Sequence, residues 1–145
     1  MVPATKGVEF ASSFTSLASV AKLLYLVTAL LCFAIAVAHA IAGSALAVDH
    51  LMVSSDVPEV AKWLLFFNWH VGTVVFVILG VVFALMSRDS AQRALALVAI
   101  SIIGAIGVLG LGMTIAGPSA MWSTPAPYAF FVIAAVGLLG FRAAR

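Results

Sequence analysis

Charge is what this sequence has least of. Its 145 residues carry only 7 basic and 5 acidic side chains, 8% charged in all, where a soluble domain carries about 25%. So few charges cannot build a water-facing surface, and with 65% of residues hydrophobic the solvent for most side chains is lipid. The net charge of +2 does not point to nucleic acid, because the basic residues are scattered and never cluster into a patch.

Cysteine is nearly absent as well. The single Cys32 excludes an internal disulfide and reads as a small packing residue. Glycine-rich phosphate loops, G-x-S-x-G elbows and C-x-x-C pairs are missing, which removes the common nucleotide, acyl-transfer and redox motifs. Apart from Glu59 at the very start of the second, no Asp or Glu falls inside the long apolar runs. A proton-coupled exporter needs such a carboxylate, so a likeness in size to small four-span multidrug exporters goes no further.

What is present is four apolar segments near the ~20 residues that a membrane-crossing helix requires: residues 22–43, 57–86, 91–117 and 124–141. They predict one all-α domain over residues 1–145, an integral membrane four-helix bundle. Asp56 followed by Glu59 has the form of a capping box, with Pro58 in the first turn. Trp63, Trp122 and Tyr128 stand where aromatic anchors meet headgroups. Ser87, Asp89 and Ser90 offer N-cap oxygens between the second and third spans, and Gly117-Pro118 stops the third.

The basic residues give the direction. Lys6, Lys22, Arg88, Arg93, Arg142 and Arg145 fall at the N-terminal flank, the second connection and the C-terminal flank. Only Lys62 lies on the other side, beside Asp49, Asp56 and Glu59. The bias predicts both termini in the cytoplasm of a bacterial inner membrane. Phe10, Phe14, Leu17 and Leu24 recur at helical spacing before the first span, as either a separate interfacial helix or an extension of that span. Ala38-His39-Ala40 has the form of a signal-peptidase site, but the apolar run before it is long for a signal peptide, so a retained span is expected.

Small residues mark where helices approach. Gly104, Gly107, Gly110 and Gly112, with Ala134, Gly137 and Gly140 and with Ala29, Ala36 and Gly43, are expected at helix seams. Ile41-Ala42-Gly43 is echoed by Ile115-Ala116-Gly117, and Phe66-Phe67 by Phe130-Phe131, a hint of a duplicated hairpin.

Within these runs the stretch FFNWHVGT, residues 66–73, puts Asn68, Trp69, His70 and Thr73 where little else is polar. His39, four residues before Gly43, lies ~6 Å inside the expected end of span one, and His70, seven residues after Trp63, ~10 Å inside span two. With antiparallel neighbours the two imidazoles share a depth. Two such histidines suit structural hydrogen bonding between helices, haem b ligation or quinone contact, or metal or proton handling. Small residues Ala36, Ala40 and Gly43 beside His39 leave room for a porphyrin. His50, in the outer loop beside Asp49, reads as solvated.

The pattern H-x-x-x-G at His39 and Gly43, followed by the pair Trp69-His70, resembles small bacterial four-span membrane proteins. The likeness covers spans one and two. It implies a membrane fold and carries no activity. Together these features predict a small accessory or scaffold component of a membrane assembly, with lipid, other membrane proteins or its own copies as partners and no reaction indicated by the sequence. A redox protein acting through His39 and His70 is the alternative, and a small transporter of a metal or apolar solute the second.

Overall fold

A computed structural model describes residues 5–144, and their side chains from Leu17 onward except at 126 and 127. The expectations for the side chains of Lys6, Phe10, Phe14 and Arg145 lie outside these residues. Every regular element among the described residues is helical.

α1 covers Thr5–Ala38. No glycine or proline interrupts residues 8–42, and the helix runs through the pre-span region without a break. The N-terminal residues from Thr5 are therefore an extension of the first helix. Nor does that helix end at Gly43. It continues as a π-helical stretch over His39–Val48 and a short α2 over Asp49–Val53, and stops where Ser54 turns extended. Residues 44–48 are all helix-compatible, so a lone glycine is not enough to end it.

α3 spans Glu59–Arg88. Its first turn differs from the expected capping box. The Lys62 amide donates to the Pro58 carbonyl at 3.1 Å, so Pro58 opens the helix and Asp56 stays outside. Asp56 accepts from Ser55 Oγ at 3.3 Å, and Glu59 instead accepts from the Trp63 indole at 2.9 Å. Lys62 donates to the Met52 carbonyl at 3.1 Å, a cation at the C-terminal end of α2 where the helix dipole favours it.

α4 covers Arg93–Ala116. Asp89 shapes the turn before it by accepting from the Ala91 amide at 3.1 Å. The helix ends at Gly117-Pro118, where a Cβ on Gly117 would sit 2.7 Å from the Met113 carbonyl oxygen. A 3-10 turn at Ser119–Ser123 leads into α5, Ala126–Ala143. Trp122 and Tyr128 are both exposed, with the Tyr128 hydroxyl donating to the Trp122 carbonyl at 3.3 Å.

Three helical stretches are long and apolar enough to cross a membrane: Leu17–Val53, Glu59–Arg88 and Arg93–Ala116. A shorter apolar helix covers Tyr128–Ala143. Leu30, Ile41, Phe67, Val74, Leu109 and Leu139 are among the many large apolar side chains on the outside. Such a surface is stable in hydrocarbon and aggregates in water.

The chain sorts into two compact units, Ala29–Val81 and the segments flanking it on either side. In the flanking unit, α4 and α5 pack antiparallel. Gly107 meets Phe130 and Phe131, and Gly137 meets Ile100 and Phe83. Tyr25 is fully buried against Phe83, ring centroids 6.0 Å apart, and a Cβ at Gly140 would come within 3.0 Å of its ring. The expected glycine seam on α4 is narrower than its sequence suggests: Gly104 and Gly112 face open space. Gly104 and Gly112 stand about 60° and 140° round the helix from Gly107, away from the line that meets α5.

Candidate functional site

The unit Ala29–Val81 is a helical hairpin: the end of α1, the π segment and α2 on one side, the first part of α3 on the other. Its two sides meet through rings set into gaps. Phe33 fills the space left by Gly80, where a Cβ would lie 2.7 Å from the Phe33 ring. One level further out, the His39 ring occupies the gap at Gly72, where a Cβ would lie 3.2 Å from His39 Cε1. The Trp69 ring covers Gly43, where a Cβ would lie 2.6 Å from Trp69 Cζ2. Each side thus contributes one ring and one glycine to the same contact.

The rings also engage each other. His39 and Trp69 stack with centroids 4.1 Å apart and planes 13° from parallel. The Trp69 indole N–H donates to the His39 backbone carbonyl at 3.2 Å. His39 Nδ1 and Thr73 Oγ1 are hydrogen-bonded at 3.0 Å. In hydrocarbon such bonds satisfy groups that water cannot reach.

This lock sits at the first residue of the π segment. A π-helix closes its bonds five residues apart and is rare beyond a single turn. Here it runs for 10 residues, and the Asp49 amide still reaches back to the Ser44 carbonyl. Ser44 Oγ is buried within it and has no hydrogen-bond partner among the described residues.

The other expected site residues are placed differently. Successive α-helical residues are about 100° apart, so with Trp69 and Thr73 on the seam, Asn68 and His70 fall on its two flanks. Asn68 is exposed and His70 half-buried. The His70 ring meets the Phe66 ring edge-on at 4.4 Å. It lines an open groove of about 320 Å³ with Phe67, Val71, Val74 and Val75. Neither Asn68 nor His70 has a hydrogen bond among the described residues. His50 is exposed in α2.

The structure therefore brings together His39, Trp69 and Thr73 and gives Asn68 and His70 other surroundings. A haem held between His39 and His70 does not fit this arrangement. The Cε1–Nε2 edge of His39 is tucked against Gly72, where a Cβ would lie only 3.5 Å from Nε2, and a macrocycle at that level requires the helices to part. No group of three or more His, Cys, Asp and Glu side chains comes together among the described residues.

Gly72 and Gly80 are the contributors that sequence reasoning overlooked. Their signal was available, since they lie three and eleven residues after Trp69 and so on its face of α3. Comparison with protein-family models, curated proteins and solved structures finds no match.

Proposed function

We propose that this protein is a non-catalytic accessory or scaffold component of a membrane assembly, a four-span helical bundle in a bacterial inner membrane with both termini cytoplasmic. The observation that supports this reading is the pair of unsatisfied polar side chains on α3. Asn68 and His70 lie about 7 and 10 Å beyond the Trp63 anchor, on a helix whose exposed surface around them is Leu64, Leu65, Phe67 and Val71. An amide or imidazole facing acyl chains has no hydrogen-bond partner and carries a cost of about 1–3 kcal/mol or more. A protein neighbour that pairs with them removes that cost. Two such groups on opposite flanks of one helix fit a chain surrounded by other helices better than one surrounded by lipid.

Site-specific photo-cross-linking in intact cells tests this. A photoreactive amino acid at Val71, between the two flanks, should give discrete protein adducts. The same residue at Leu109 on α4, also exposed, serves as reference. Adducts to lipid alone at Val71 would remove the support for an assembly.

A further inference from the structure

We infer that the basic end of the flanking unit holds the phosphate headgroup of an anionic phospholipid. The inference rests on membrane insertion and is independent of any protein partner. Three elements converge there. Arg93, at the start of α4, donates from Nη1 to the Phe141 carbonyl of α5 at 3.3 Å and lies 4.2 Å over the Phe141 ring. Gly140 of α5 packs against Leu24 and Tyr25 of α1. The adjoining residues Arg142 and Lys22 are exposed, one position from Phe141 and one helical turn from Tyr25. Lys22, Arg93 and Arg142 are thereby drawn to one level of the unit, and no Asp or Glu is paired with any of them among the described residues.

The chemistry selects an anion at the edge of the hydrocarbon. Arg93 is the fixed member, since its stack and its bond to Phe141 hold the guanidinium while further N–H groups of the fork stay free. A phosphate is matched by that planar fork. Lys22 and Arg142 reach it as flexible charges on apolar stems that can lie along the helices. Beneath them, the Tyr25 hydroxyl is buried without a hydrogen-bond partner among the described residues. A basic pocket between helices at the cytoplasmic face suits a lipid headgroup. Arg88 is also basic and exposed, but no hydrogen bond or ring contact among the described residues ties its side chain to α5 as Arg93 is tied, and it is the natural control.

The test uses the full chain in nanodiscs of phosphatidylcholine, with or without a minor fraction of phosphatidylglycerol. Lipid retained by the protein is measured by native mass spectrometry and stability by thermal unfolding. Phosphatidylglycerol should be retained and raise Tm. The double variant Lys22→Gln/Arg142→Gln should retain it about thirtyfold less well, from about fivefold per lost charge, while Arg88→Gln keeps wild-type retention. All variants should unfold alike in pure phosphatidylcholine. Equal losses in Arg88→Gln and the double variant would show diffuse surface attraction and overturn the site. So would absence of any phosphatidylglycerol effect. Inorganic phosphate added to phosphatidylcholine discs separates the two phosphate sources: if it reproduces the rise in Tm, the site takes a free anion and the lipid assignment fails.

Discussion

At the scale of single residues, the two histidines of the hairpin's apolar stretches, His39 and His70, have separate surroundings. His39 is held by a stack and a hydrogen bond, worth about 0.5–1.5 kcal/mol and about 0.6 kcal/mol. Replacing it with alanine should therefore lower stability by about 1–2 kcal/mol. His70 touches one ring edge and an open groove, and His70→Ala should cost less than about 0.5 kcal/mol in the isolated protein. Unfolding of the two variants in one detergent gives the comparison. Equal losses would mean that His70 is also a structural link. Glycines divide in the same way. At Gly43 a Cβ meets a Trp69 ring that cannot swing aside, because its face is stacked and its N–H is bonded. Gly43→Ala should cost about 1–3 kcal/mol by overpacking. Gly112→Ala, in open space, should be neutral or stabilising by up to about 1 kcal/mol; a loss there comparable to that at Gly43 would contradict the geometry.

At the scale of elements, the sequence showed where helices lie better than where they end. The starts and stops expected for α3, α4 and α5 fall within two residues of those observed, because polar turns and Gly117-Pro118 mark them. The end of the first helix was misplaced by ten residues. Gly43 looked like a stop, and its actual role against Trp69 depends on a residue 26 positions away, which no local pattern displays. The histidine site was legible in the same measure. Counting along antiparallel helices puts His39 level with the 66–73 stretch, and the two do lie in one hairpin. Which side chain of α3 meets His39 depends on rotation about the helix axis, and the π segment changes that rotation without any signature in its Ala-rich sequence. Hydrogen exchange should expose the segment. Backbone amides over His39–Val48 should exchange faster than those of the neighbouring α-helical residues 25–38 at matched depth, because π geometry is the weaker arrangement. Uniform protection across the junction would mean that the segment is as stable as the helix it continues.

At the scale of the whole molecule, composition was the strongest signal. A chain with 8% charge gave an all-helical structure with three stretches able to cross a membrane. The proposed direction of insertion rests on the sequence positions of the basic residues, six of the seven flanking one side of the expected spans. A cysteine introduced at Ser54, in the connection after α2, should react with an impermeant maleimide added outside the inner membrane and stay unreactive when the reagent is confined to the cytoplasm. Labelling only from the cytoplasm would invert the assignment. The native Cys32 is fully buried and leaves the background of such an experiment low.

The exchange of ring for gap between His39 with Gly43 and Trp69 with Gly72 has a consequence for how such a sequence can drift. Neither helix holds a complete contact: each supplies the bulk that fits the other's missing side chain. A lineage that enlarges position 43 must shrink position 69, and one that enlarges position 72 must shrink position 39, before either change is tolerated. The four positions are therefore expected to be inherited as a set, with substitutions arriving in compensating pairs across the hairpin. An exposed residue between them and away from the Asn68 and His70 flanks, such as Ile41, is free to vary on its own.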